Sequence, residues 1–293
     1  MRDQLASLGY TLVPGVFSFD EANDDPWGFA ARILGERPAL VERQPIRPIS
    51  NGRSFASSMM VTPFHTDSQL ALGVPPMFQL MLCVKPAESG GESLFCDTWA
   101  VLDAVERADA ELYAALFEVD RHQPFLFGDV HGPTVSRRGG HVVFTHSALA
   151  VDRLAVRLAP FLARAPVIEV RPASGDLLVA NNHRLLHGRR AFNDPRREFV
   201  RLLVYANSPF SVPEPLARHV LDVPAEPPTL RMSDRQTLIA DEMIRGAPPG
   251  LLSRREGVPE ADLYRWRDAV LANRLRRLAA LAGVTAGPSW DPA

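Results

Sequence analysis

Between residues 55 and 206 the apolar positions fall into short runs, several alternating with polar neighbours and bounded by glycine or proline. Such runs at 55–61, 78–84, 93–96, 124–127, 141–145, 167–170, 176–180 and 199–205 predict the strands of a mainly antiparallel sandwich or open barrel. The segment Pro133-Thr-Val-Ser-Arg-Arg-Gly-Gly-His-Val-Val-Phe sets two glycines between strand-like flanks, which is a hairpin signal. Two stretches, 99–118 and 151–163, switch to helical spacing and are expected to pack outside the barrel. Ahead of them, 10–13 reads as a strand and 20–34 as a helix preceded by the cap-like Ser18. The expected organisation is a mainly β domain over 1–210 with an N-terminal α/β decoration, a proline-rich connector at 211–232 and a helical extension at 233–293.

The chain of 293 residues can bury a substantial core, and its 46% hydrophobic and 23% charged residues are ordinary for a globular protein. Its 32 basic and 34 acidic residues leave a formal charge of -2, which supplies no global attraction for nucleic acid or an anionic membrane; a small-molecule substrate is the expected partner. The opening stretch MRDQLASLGYTLVPG carries Asp3 and lacks a continuous apolar core, and no run approaches the roughly 20 apolar residues of a membrane span. A cytoplasmic location is therefore expected. Cys83 and Cys96 are too few for a disulfide framework and are expected to be ordinary buried thiols.

Candidate chemistry starts at Pro63-Phe-His-Thr-Asp-Ser-Gln, where His65 and Asp67 stand two apart and on a strand would share a face, able to grip one metal ion. A second stretch, Gly175-Asp-Leu-Leu-Val-Ala-Asn-Asn-His-Arg-Leu-Leu-His-Gly-Arg, reads as a strand running into a loop that presents His187, with His183 a competing imidazole. A histidine, a carboxylate and a distant second histidine form a facial triad that suits iron(II) and leaves three positions open. Those positions match a 2-oxo acid chelating through its keto and carboxylate oxygens, with dioxygen as the remaining ligand.

On these residues the chain resembles the Fe(II)/2-oxoglutarate-dependent oxygenases of the taurine dioxygenase and clavaminate synthase type, over about residues 55 to 206. The matching segments are His65-Thr66-Asp67, Gly90-Gly91-Glu92-Ser93 with Ser93 26 positions after Asp67, and Asn181-Asn182-His183-Arg184-Leu185-Leu186-His187-Gly188-Arg189, where Asn181 replaces the family's aspartate. The resemblance implies a double-stranded β-helix (jelly-roll) core, with His65, Asp67 and His187 as metal ligands and Fe(II), 2-oxoglutarate and O2 as cofactors. His187 is preferred to His183 because it alone precedes Gly-Arg. The family's spacing selects Arg201, 14 positions after His187, to pair with the far carboxylate of 2-oxoglutarate, helped by the Ser93 hydroxyl. Arg197 is expected on the same strand face near the substrate, and a shifted register would exchange the two arginines. The implied reaction is hydroxylation of an unactivated C–H bond in a small molecule, an amino acid or natural-product intermediate, with release of succinate and CO2. Desaturation, cyclisation and epimerisation would use the same ligands. The carboxylate at Asp67 argues for oxygenation over halogenation, and the short interval from Ser93 to His187 implies a reduced covering of the site.

Gln69, Arg53 and Ser58 flank the first metal segment and are expected substrate contacts; His122, His131, His141, His146 and His219 have no matching context and read as structural or surface residues. Two other readings stand beside the oxygenase: a metal-binding jelly roll without catalysis, and a DNA-binding regulator acting through the helix-turn-helix-like segment from Leu251 to Arg267. Residues 233–293 contain nine Arg against eight Asp or Glu, whereas phosphate binding asks for a basic face. The extension therefore reads as a packing, homodimer-forming or site-covering element.

Overall fold

A computed structural model describes residues 1–15, 19–36, 38, 40–49, 52, 54–67, 75–125, 128–138, 141–206, 212–222, 233–244, 247–267, 269 and 270. The first part of the chain forms α1 (Arg2–Leu8), β1 (Tyr10–Val13), α2 (Phe19–Asp24), α3 (Pro26–Leu34), β2 (Leu40–Ile46), β3 (Thr62–His65), β4 (Phe78–Lys85) and β5 (Ser93–Asp97). Then follow α4 (Thr98–Ala108), α5 (Ala110–Glu118), β6 (Arg121–Phe125), β7 (Gly128–Gly132), β8 (Val135–Arg138), β9 (His141–Phe144), α6 (Arg153–Arg164) and β10 (Val167–Val170). The remainder comprises β11 (Leu177–Asn181), β12 (Leu185–Arg189), β13 (Glu198–Tyr205), α7 (Glu214–Ala217), β14 (Leu221–Asp222), α8 (Asp234–Ile244) and α9 (Pro249–Glu256).

Among the described residues the two largest sheets have the strand orders β1-β11-β4-β13-β2 and β10-β5-β12-β3, every pairing in them antiparallel. Side chains alternate faces along a strand, so each strand divides its residues between two layers. Leu80, Leu82, Leu177, Val179, Val200, Leu202 and Val204 pack outward with Phe29, Ala30 and Ile33 of α3. Cys96 and Leu186 pack on the opposite outer face with Val101, Leu112, Leu116 and Leu158 of α4, α5 and α6. Phe95, Leu178, Ala180 and Leu185 fill the space between the sheets, joined by Tyr10 and Met81. This is the jelly-roll core with helical additions that the sequence leads one to expect.

Several elements differ from expectation, each for a local reason. The run at 55–61 is not a strand: Arg189 takes the carbonyls of Phe55, Ser58 and Met60, so these acceptors serve a side chain and the strand begins only at Thr62. The helix expected at 20–34 breaks at Pro26, which lacks an N–H, and Asp25 caps the new start by accepting from the Gly28 N–H at 2.9 Å. The helix at 99–118 breaks at Asp109, whose side chain caps α5 through the Leu112 N–H at 2.9 Å. The 124–127 run is the end of β6, paired with β7, and residues 126 and 127 lie outside the described ones. The 133–144 hairpin forms as β8 against β9. Within the proline-rich connector, β14 pairs in parallel with β8. In the extension, Ile239, Met243, Leu252 and Leu263 make a small core of their own; residues 271–293 lie outside the described ones. No helix among the described residues is long and apolar enough to cross a membrane.

Candidate metal centre

The inner faces of the two sheets carry the polar residues that matter. His65 ends β3 and lies directly across the ladder from His187, which sits on β12 and not on a loop. Two features bring these strands together. Pro63 cannot donate to a ladder and is accommodated at a register shift between β3 and β12, on the edge of its sheet. Gly188 lets β3 approach, since a Cβ there would stand 2.7 Å from the Thr62 carbonyl oxygen. The third residue of the His-Gly-Arg stretch, Arg189, is buried and ties down the loop that carries Phe55, whose ring lies tilted against His65 at 4.6 Å between centroids.

Asp67 lies just past the end of β3 and is held from both sides by Asn182. The Asn182 side chain accepts from the Asp67 N–H at 3.1 Å and donates to the Asp67 carbonyl at 3.2 Å. Thr66 anchors the same segment, its hydroxyl donating to the Phe144 carbonyl at 2.8 Å. The result is His65 Nε2 3.5 Å from Asp67 Oδ1, His187 Nε2 3.7 Å from Asp67 Oδ2, and the two imidazole centroids 4.2 Å apart. Ligand atoms of all three residues lie within 4.8 Å of one another, and among the described residues this is the one such cluster.

The protonation states suit a divalent cation. His65 Nδ1 donates to the Pro63 carbonyl at 2.9 Å, which turns Nε2 and its lone pair towards the cluster. Burial, reinforced by His65, lowers the His187 pKa to about 3 despite the pull of Asp67, so that imidazole is neutral at physiological pH. For Asp67, burial alone would raise the pKa; Arg201 and the two histidines outweigh it and hold the carboxyl well below the usual range. A carboxylate and two imidazoles, converging from one side, fit iron(II) by donor type.

Around these three lie residues with distinct surroundings. Arg201 points inward from β13 and donates through Nη1 to Asp67 Oδ2 and through Nη2 to Gln44 Oε1. Arg197 precedes β13, and a register shift between Glu198 and Phe199 breaks the simple same-face relation expected of the two arginines. The Arg197 guanidinium is buried between Phe192 and Phe199, 5.1 and 4.2 Å from their ring centroids, and donates to the Gly91 carbonyl at 3.3 Å. It has no carboxylate within ion-pair distance among the described residues, and burial together with Arg189 lowers its pKa to about 10. Ser93 begins β5 opposite Arg189, on the inner face it shares with Phe95. Ser58 sits in the loop held by Arg189 and accepts from the Met60 N–H at 3.0 Å. Gln69 and Arg53 lie outside the described residues.

Two contributors went unnoticed in the sequence: Asn182, and Gln79 on β4, which donates to Asp67 Oδ2 at 2.8 Å and lies 3.1 Å from His187 Nε2. The signal for Gln79 was available as a lone amide inside the apolar run Phe78-Gln-Leu-Met-Leu-Cys-Val.

Comparison with known proteins fits this geometry. Dioxygenase str8 of Strobilurus tenacellus is 24% identical over 185 residues, covering 54% of this chain and 41% of that protein. The 3-((Z)-2-isocyanoethenyl)-1H-indole synthase of Fischerella ambigua (strain UTEX 1903) is 29% identical over 168 residues, 44% of this chain and 58% of that one. The chain thus spans about two fifths to three fifths of the length of these curated relatives. The crystal structure of PvcB from Pseudomonas aeruginosa superposes with a TM-score of 0.50 at 20% identity, over 70% of this chain and 78% of that one, a likeness of fold. A family model described as "Taurine catabolism dioxygenase TauD, TfdA family" matches residues 1–173, a span holding His65, Asp67, Gln79 and Ser93, to which β12 adds His187. The chain belongs to the TauD, TfdA family.

Proposed function

We propose that the protein is an iron(II)- and 2-oxoglutarate-dependent oxygenase that hydroxylates an unactivated C–H bond of a small molecule. The observation that carries the reading is the convergence of His65, Asp67 and His187 within 4.8 Å, with the His65 Nδ1–H committed to a backbone carbonyl and Nε2 left for a metal. Iron(II), when bound with 2-oxoglutarate and O2, supplies an oxidant strong enough to break such a bond, the co-substrate leaving as succinate and CO2. His65, Asp67 and His187 hold the ion from one side and leave the other side to co-substrate and oxygen.

For the far carboxylate of 2-oxoglutarate, Arg197 with Ser93 is our assignment, in exchange with Arg201. Arg197 is a buried cation without a carboxylate partner among the described residues, walled by Phe192 and Phe199. Such a guanidinium gains two charge-assisted hydrogen bonds from an entering carboxylate. Arg201 already serves Asp67 and Gln44 and is assigned to the metal end. Phe192 and Phe199 exclude water around the proposed salt bridge and strengthen it.

The substrate class is an amino acid or natural-product intermediate. Support comes from the Fischerella relative, named for making a small isocyanoethenyl indole. The two free buried thiols, Cys83 and Cys96, suit a reducing cytoplasm.

The test is to add iron(II) and then 2-oxoglutarate to the metal-free protein under anaerobic conditions and record the visible spectrum. A weak charge-transfer band that needs both additions, and is missing in His187→Ala, is expected. No band in the unaltered protein overturns the reading.

A further inference from the structure

We propose that Gln79 is a positioning residue that presets two of the metal ligands, orienting the Asp67 carboxylate and holding His187, until an ion binds, in the tautomer with an unprotonated Nε2. The inference rests on the metal-centre reading above.

Gln79 is 4% exposed and lies on the inner face of β4, in line with Met81 and Cys83. Its neighbours across the ladders are Ala180 on β11 and Leu203 on β13, which offer no side-chain hydrogen bond. An amide buried without partners costs about 1–3 kcal/mol, so an apolar strand tolerates one only where partners converge. The Gln79 partners are Asp67 Oδ2 at 2.8 Å and His187 Nε2 at 3.1 Å, both groups of the centre itself.

The direction of these bonds follows from charge. Asp67 is ion-paired with Arg201 and so is an acceptor only. The Gln79 side chain must therefore present its NH2 group and not its oxygen. The same nitrogen then faces His187, and its second hydrogen requires an acceptor at Nε2. This places the ring proton on Nδ1, and the Nε2 lone pair accepts from Gln79 until an ion takes it. Pro63 does the same for His65 through the opposite ring nitrogen. With Gln79 and Arg201 both on Oδ2, the oxygen left to a metal is Oδ1, which already lies 3.5 Å from His65 Nε2. One amide thereby sets a carboxylate and an imidazole before any ion arrives.

The experiment compares wild type with Gln79→Met, which keeps length and removes both donors, and with Gln79→Leu should the first variant not fold. Cobalt(II) affinity is measured anaerobically by its visible bands, and the His187 imidazole tautomer of the metal-free protein by nitrogen NMR. The expected result is a loss of about 10–100-fold in affinity, the usual range for removing the outer partner of a ligating group, here the bond from Gln79 to Asp67 Oδ2. The His187 ring should also become a mixture of tautomers, with the thermal stability of the metal-free protein unchanged or raised. Affinity within about twofold of wild type, or an unaltered tautomer with lowered stability, overturns the proposal and makes Gln79 a packing residue. Wild-type protein that takes up no cobalt(II) overturns instead the metal-centre reading on which it rests.

Discussion

Two places four residues apart, the middle of β13 and the position just before it, hold the same residue type in opposite circumstances. At one, Arg201 is bound into a line of polar groups running from Asp67 through its own guanidinium to Gln44 and on to Glu42. At the other, Arg197 is walled by two phenylalanines and touches one backbone carbonyl. Four positions of sequence separate them, yet one charge is matched by a carboxylate and the other has no carboxylate within ion-pair distance among the described residues. Whether a buried arginine is already matched depends on neighbours drawn from distant strands, not on spacing from a motif.

The sharpest way to break this contrast is Arg197→Met. About 3 kcal/mol is typical for losing one member of a buried charged pair, so 2-oxoglutarate affinity should fall about 100-fold while metal affinity stays near wild type, as read by titrating the anaerobic chelate band. If Arg201→Met produces that loss instead, the assignment of the two arginines is reversed. Arg201→Met itself is expected to act through Asp67, destabilising the metal-free protein at neutral pH by about 2 kcal/mol in urea unfolding. Its pH dependence has a definite sign. A carboxyl held below its unfolded pKa contributes stability that is complete above the unfolded value and is lost as pH falls through the folded one. Because Arg201 is the strongest lowering influence on Asp67, its removal raises the folded pKa, so the contribution shrinks and is exhausted at a higher pH. The smallest expected effect is that of Gly91→Ala. Gly91 has φ +77°, and a Cβ would stand 3.1 Å from Arg197 Nε, so about 1–2 kcal/mol of stability should be lost together with a few-fold weakening of 2-oxoglutarate binding. Unchanged binding would separate Gly91 from the Arg197 site.

Much of the core was legible because period-two patterning survives wherever one face of a strand is buried: β1, β4, β5, β9, β10, β11 and β13 lie at or within about a residue or two of their expected places. What misled was local. Residues 55–61 alternate like a strand, but their carbonyls are claimed by Arg189 from β12, a long-range contact that no window on the sequence displays. His187 was expected on a loop because the short turn at 182–184 gives β12 only five residues before Arg190. The three candidate ligands, which the fold does bring together, were readable from residue type and spacing. Their orienting partners were not, since Asn182 meets Asp67, and Gln79 meets His187, across more than 100 positions of chain.

That separation also bears on assembly. Neither β3 nor β12 carries all three candidate ligands, and the contacts that bring His187, Asn182 and Arg201 to the centre span 108 to 134 positions. During synthesis, the segment bearing His65 and Asp67 waits for most of the barrel to emerge before its partner strand exists. Long-range pairing of this kind forms slowly, because loop closure must precede the contacts that reward it. An ion that binds only the completed ladder will therefore select fully folded chains and draw the folding equilibrium towards them by mass action. Metal supply would then act on how much of the chain is folded.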